Sequence, residues 1–301
     1  MAGRSSTRAR LLSALALLLC AFLAYVAAGL PSRDSVRDLA RRTPGATELM
    51  RQREAEAKEK RRPVLRQQSV VPLGRISRWL IQAVIAAEDQ KFFGHQGVDW
   101  AALQESVEKN LEKRRFARGG STITQQLAKN VFFGTRKSLT RKARELVVTA
   151  WMENDLSKRR ILELYLNVIE WGDGVYGAEA AARRYYGKPA SDLDASEAAG
   201  LAAMIPNPRR INPQVAAARH ARATKRVLWL MANAGFLEGT AAGLGSEPPP
   251  LEEVPEEGDD PPLPDEPPPP ASPSPSPEPT PLVPIPDPAT LPPSPEASDS
   301  R

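Results

Sequence analysis

Residues 11–30 form a run of 20 positions without one charged side chain. As a helix such a run spans about 30 Å, the thickness of a bilayer's hydrocarbon core. Arg4, Arg8 and Arg10 precede it, while Arg33, Asp34, Arg37 and Asp38 follow closely and carry mixed charge. The positive-inside bias then puts residues 1–10 in the cytoplasm and everything after residue 30 outside, on a single-pass anchor. The competing reading is a cleaved signal peptide, with Val26, Ala27 and Ala28 as the cleavage site. The apolar run exceeds the roughly 7–15 residues of such peptides, which favours an uncleaved anchor. Leu19 before Cys20 makes a poor lipidation site, because small residues normally stand there.

The other end of the chain is excluded from any core. Residues 246–301 hold 22 of the 30 prolines and 13 of the 36 acidic residues, against one basic residue. Their net charge is −12, and residues 1–245 carry 40 basic and 23 acidic residues. An aromatic-free, proline-rich acidic segment buries too little apolar surface to offset its ordering entropy. Pro267–Pro270 and the Ser-Pro repeats at 272–277 favour extended polyproline II. The tail is therefore expected to be a disordered arm. A lone Cys20 precludes an internal disulfide, and two histidines with one cysteine preclude the usual zinc ligand sets.

Between these ends, residues 31–65 are highly charged and read as a juxtamembrane stalk; residues 66–240 make the folded domain. Ile76, Trp79, Leu80, Val84 and Ala87 recur at helical spacing and end at Glu88 and Asp89. A second helix starts near Asp99 and carries Leu103, Val107 and Leu111. Ser121 or Thr122 can cap a third with Ile123, Leu127 and Val131, and Ala143, Leu146, Val147 and Ala150 mark a fourth. Ser157 can cap a fifth, with Ile161, Leu162, Tyr165 and Leu166 inward. Asp194 and Glu197 form a capping box before a helix that Pro206 ends, and residues 219–236 make the last helix. Few segments alternate with period two, so the fold class is mainly α.

Four segments carry chemistry. Glu88 and Asp89 close an apolar helix beside Phe92, Phe93 and His95, where partial desolvation raises a carboxylate's proton affinity and suits it to general acid–base work. The run from Gly119 to Asn130 offers glycines, hydroxyls and amides at a helix N-terminus, with Lys129 further in, a setting for an anion. It lacks the spacing of a nucleotide P-loop. Arg136, Lys137, Arg141, Lys142 and Arg144 surround Glu145, which shares a helix face with Arg141. A carboxylate among these cations is expected to stay ionised, and the cations can hold a pyrophosphate. The stretch from Lys158 to Asn167 reads as architecture, with Glu163 and Asn167 as buried polar ties.

Taken in order, Glu-Asp-x-x-Phe-x-x-His-x-Gly (88–97), Gly-Gly-Ser-Thr-Ile-Thr-Gln-Gln-Leu-x-Lys-Asn (119–130), Arg-Lys-x-x-Glu (141–145) and Lys-x-x-Ile-Leu-Glu-x-Tyr-Leu-Asn (158–167) resemble the peptidoglycan glycosyltransferases of the lysozyme-like superfamily, glycosyltransferase family 51. The resemblance covers residues 67–213 and looks like the monofunctional, membrane-anchored kind. It implies a lysozyme-like glycosyltransferase domain that polymerises lipid II, a disaccharide-pentapeptide on undecaprenyl pyrophosphate. Glu88 would be the base that deprotonates the acceptor's 4-hydroxyl, and Glu145 the second catalytic carboxylate, on the donor side. Asp89 would support the first carboxylate. Ser121, Gln125, Gln126, Lys129 and Arg144 would line the donor site, with Lys129 on the pyrophosphate. Lys129, Lys137, Arg141 and Arg144 suit the developing charge of a diphosphate leaving group. Where many relatives have an arginine before the Ser-x-x-Arg-Lys element, Lys137 stands here, losing the bidentate fork; Lys137 is expected to act as a point charge in its place.

The resemblance implies lipid II, the growing glycan and membrane lipid as partners, with cell-wall synthesis or division proteins as further candidates, and an inner-membrane location. Residues 100–116, with Lys113, Arg114 and Arg115, correspond to a family region that approaches lipid. The resemblance implies no required cofactor, with a divalent cation, Mg2+ or Mn2+, as a candidate assistant to the pyrophosphate. The competing readings are a lysozyme-like muramidase and a non-catalytic membrane-anchored scaffold; no nucleic-acid motif accompanies the basic body. Ser106 and Lys109 match Ser-x-x-Lys, but no Lys-Thr-Gly or Ser-x-Asn partner follows, so no transpeptidase activity is expected.

Overall fold

A computed structural model of the chain describes residues 3–113, 120–136, 138–237 and 249. The chain divides after Val254, and all described residues belong to the first unit. Its elements are α1 (Gly3–Ala28), α2 (Arg33–Asp38), α3 (Glu48–Glu59), β1 (Gln67–Gln68), α4 (Arg78–Glu88), α5 (Trp100–Lys113), α6 (Ile123–Ala128), α7 (Leu139–Asp155), α8 (Lys158–Val168), β2 (Glu170–Gly172), β3 (Val175–Tyr176), α9 (Ala178–Tyr186), α10 (Ala195–Met204) and α11 (Ala217–Asn233). The fold is mainly helical, as the periodicity predicts. A small sheet of order β1-β3-β2 pairs Gln67 with Val175 in parallel and Glu170 with Tyr176 antiparallel.

The helix starts follow from capping chemistry. Thr122 Oγ1 accepts from Gln125 N at 3.3 Å, Ser157 Oγ from Arg160 N at 3.2 Å, and Asp194 and Glu197 bond reciprocally at 2.9 and 3.0 Å. Each satisfies backbone donors that an N-terminus leaves unpaired. The core forms where α4, α6, α8, α9 and α10 meet, on Leu80, Val84, Ile123, Leu127, Ile161, Leu164, Tyr165 and Leu201. Asn167 is a buried polar tie, as expected, and Glu163 is a half-buried one. Asn167 Oδ1 accepts from Val71 N and its Nδ2 donates to Val71 O, both at 2.9 Å, while Glu163 Oε2 accepts from Leu73 N at 2.8 Å.

Two expectations are corrected. Residues 31–65, expected as a charged juxtamembrane stalk, pack on the domain: Val36 and Leu39 belong to the main core, Leu49 and Met50 are buried, and Arg53 donates to Glu170 at 3.0 Å. The apolar residues of α2 and α3 are too few, among too many charges, to register as an inward stripe. In α7 the buried face is Glu145, Val148, Thr149 and Met152, rotated away from the expected one; Leu146 is 41% exposed. A face that buries a glutamate and a threonine is invisible to hydrophobic periodicity.

Helix α1 covers most of the 11–30 run, with Leu12, Leu15, Leu17, Leu18 and Leu23 exposed. Among the described residues no helix is long and apolar enough to cross a membrane. The end of α1 packs on the domain. Val26 is buried, and Arg144 of α7 donates to the carbonyls of Tyr25 at 2.6 Å and Val26 at 3.0 Å.

Candidate active site

Glu88 is the last residue of α4, delivered by an apolar helix to the edge of the core. Its Oε2 accepts a 2.7 Å hydrogen bond from Gln126 Nε2. Gln126 Oε1 in turn accepts from the Tyr165 hydroxyl at 2.9 Å. Burial pushes the Glu88 carboxyl above the ordinary glutamate range. The Gln126 bond and the nearby charge of Lys129 pull it down, and Asp89 pushes it up.

Asp89 is buried and bonded on both oxygens. His95 Nε2 lies 2.8 Å from Oδ1, and Ile123 N donates to Oδ2 at 3.1 Å. It thereby fixes the end of α4 against the start of α6. Gly97 completes this joint. Its φ of +83° is open to glycine, and a Cβ there would lie 2.6 Å from Thr149 Cγ2 of α7. Its carbonyl accepts from Thr122 Oγ1 at 2.6 Å. The motif glycine is thus a packing requirement between α6 and α7.

Glu145 is 2% exposed and fully engaged: Arg141 Nη1 donates to Oε2 and Lys142 Nζ to Oε1, each at 2.7 Å. Lys142 Nζ also donates to Gln125 Oε1 at 3.1 Å and Ser121 Oγ at 3.4 Å. Gln125 and Gln126 are neighbours on α6, so the two carboxylates are joined through one short helix. Arg141 Nε is buried without a hydrogen-bond partner among the described residues. Because both Glu145 oxygens are held by cationic side chains, the residues present do not fit a resident divalent cation. Among the described residues, no three His, Cys, Asp or Glu side chains cluster to hold one.

Residues 54–232 match the family model described as Transglycosylase. The chain belongs to the transglycosylase family. Among the relatives of this transglycosylase is a biosynthetic peptidoglycan transglycosylase of Dechloromonas aromatica (strain RCB), 54% identical over 166 residues, which span 55% of this chain and 72% of the relative. The protein of the same name from Azoarcus sp. (strain BH72) is 51% identical over 191 residues, 62% of this chain and 82% of that one. One from Janthinobacterium sp. (strain Marseille) is 47% identical over 193 residues, 64% and 84% of the two chains.

In this transglycosylase most of the expected site residues fall into two hydrogen-bonded groups. Glu88, Asp89 and Gln126 form one group; Ser121, Gln125, Arg141, Lys142 and Glu145 form the other; Lys129 follows α6 and acts on Glu88 by its charge. Arg144 departs from expectation. Rather than joining the donor-side group, its guanidinium stacks 5.0 Å from the Tyr25 ring and binds the last carbonyls of α1. Successive residues of a helix point about 100° apart, so a neighbour of Glu145 cannot share its direction. Lys137 and residues 114–119 lie outside the described residues, as does all of 246–301 except Pro249; Arg136 is exposed. Sequence reading missed Tyr165, taken only as core. The available signal was a tyrosine in a stripe of leucines, because a buried hydroxyl requires a partner.

Proposed function

We propose that this transglycosylase is a peptidoglycan glycosyltransferase that extends glycan strands by inverting transfer. In this reading Glu88 takes the proton of the acceptor's 4-hydroxyl. The freed oxygen attacks the anomeric carbon of the donor, and the bond from that carbon to the phosphate oxygen breaks. Undecaprenyl pyrophosphate leaves with the electron pair. A diphosphate is weakly basic and needs cations more than a proton, so Lys129, Arg141 and Lys142, with Lys137, are assigned to its developing charge. Glu145 orders Arg141 and Lys142 through its two 2.7 Å bonds. The chemistry calls for no cofactor.

The observation that carries the reading is the division of labour across α6. One carboxylate sits in desolvating surroundings that make it a better base, and the other is neutralised inside a cationic cradle. A simple hydrolase has no use for that cradle. The relatives' printed names point the same way. The exposed leucines of α1 support an anchor in the inner membrane, and Arg4, Arg8 and Arg10 before them support residues 1–10 in the cytoplasm with the domain outside. Exposed Phe93, Trp100, Leu139 and Leu146, on segments bordering the two carboxylates, support work at a lipid surface.

Purified lipid II incubated with the protein tests this. Polymer and free undecaprenyl pyrophosphate are expected from wild type, and neither from Glu88→Gln. Cleavage of finished peptidoglycan without polymerisation would overturn the reading.

A further inference from the structure

Tyr165 lies in the middle of α8, is 0% exposed, and is flanked by the buried Leu164 and Leu166. A phenol in such a place must spend its hydrogen on a partner. Among the described residues that partner is Gln126 Oε1, at 2.9 Å. A glutamine amide has one accepting end and one donating end. With the oxygen turned to Tyr165, the NH2 group is turned to Glu88 Oε2, at 2.7 Å.

Two orientations of the Gln126 amide are chemically consistent. In the first the amide donates to Glu88, most strongly when Glu88 is ionised because a protonated carboxyl accepts only weakly on its carbonyl oxygen, and Tyr165 donates. In the second the amide is flipped: a protonated Glu88 donates to Oε1, the NH2 faces the phenol oxygen, and the phenol hydrogen has lost its acceptor inside the core. Leaving a buried donor unsatisfied is costly, so the second arrangement is disfavoured. We propose that Tyr165 is a positioning residue that locks the Gln126 amide in the orientation that keeps Glu88 deprotonated and aimed. The inference rests on the reading of Glu88 as the base.

The other groups facing Glu88 do not remove the effect. Asp89, itself bonded to His95, opposes ionisation, and Lys129 favours it. Tyr165 remains protonated, because burial and the charges of Glu88 and Asp89 push its hydroxyl well above the ordinary tyrosine range. It is therefore a permanent donor to Gln126 across the working pH range.

The test is the pH profile of kcat/KM for lipid II polymerisation by the full chain. Tyr165→Phe keeps the ring and removes the hydroxyl. We expect its acid limb to move up by about one pH unit, so that the rate on that limb falls about tenfold. On a Gln126→Leu background, which lacks the amide, Tyr165→Phe should produce no further movement of the limb. An unmoved limb in Tyr165→Phe, or the same movement on the Gln126→Leu background, overturns the proposal. Tyr165→Leu must reproduce the movement if the hydroxyl rather than the ring is responsible, and it serves should the phenylalanine variant fold poorly. Failure of the base reading looks different: there Glu88→Gln polymerises lipid II, whatever Tyr165 does.

Discussion

Gln125 and Gln126, consecutive on α6, serve different carboxylates: the first accepts from Lys142, which holds Glu145, at 3.1 Å, and the second donates to Glu88 at 2.7 Å. The geometry of this one helix sets the relation between the two halves of the site, and several expectations follow from it.

Removing the charge of Glu145 leaves Arg141 and Lys142 without the acceptor that orders them. Glu145→Gln should lower polymerisation by roughly a hundredfold, the scale of losing a preorganised electrostatic group. It should also cost about 2–3 kcal/mol of stability, because two charge-assisted bonds weaken. Thermal unfolding and the lipid II assay read the two effects separately; full activity with a lowered Tm would reduce Glu145 to a structural role.

The raised proton affinity of Glu88 has a stability consequence with a definite sign. A carboxyl whose folded pKa lies above its unfolded value, about 4.3, favours the fold below that value and loses this contribution as pH rises through the folded pKa. Above its folded pKa the ionised, desolvated Glu88 therefore destabilises the protein. Glu88→Gln should raise Tm at pH 7, and the gain should vanish by about pH 4. An equal gain at both pH values would show that ionisation is not its source. The activity profile should show the same group as an acid limb above the ordinary glutamate range.

Asn167 ties α8 to the backbone of Val71 and is 0% exposed. Asn167→Ala leaves the amide and carbonyl of half-buried Val71 unpaired. A loss of about 2–4 kcal/mol is expected, visible in denaturant melts. Activity per folded molecule should change little, because the residue touches neither carboxylate group; a selective loss of rate at unchanged stability would count against this assignment.

Arg144 grips the last turn of α1, and Gly29 leaves the space: a Cβ there would run into the guanidinium. Arg144→Ala should free the α1 end. Amide exchange at Gly29 and Leu30 is expected to quicken roughly tenfold, the factor that corresponds to about 1.4 kcal/mol. Unchanged protection would mean that the packing of Val26, not the arginine, holds the junction.

Much of the site was legible before folding because its chemistry is carried by short local patterns. Thr122, Ser157 and Asp194 announce helix starts through hydroxyl and carboxylate caps, and each start lies where its cap requires. The spacing of Arg141, Lys142 and Glu145 is an i, i+3, i+4 set that a helix must bring together. Patterns of this kind need only the helical repeat.

What the chain's order determined, then, was which helices form, which end in carboxylates and where cations gather, since these depend on neighbours within one or two turns. The tertiary structure alone decided that α2 and α3 join the core, that α7 turns Glu145 and Thr149 inward, that Arg144 leaves the site for α1, and that Tyr165 reaches Gln126 across 39 positions. Such contacts depend on how whole helices rotate and pack, and a helix's rotation is set by the volume and polarity of partners distant in sequence.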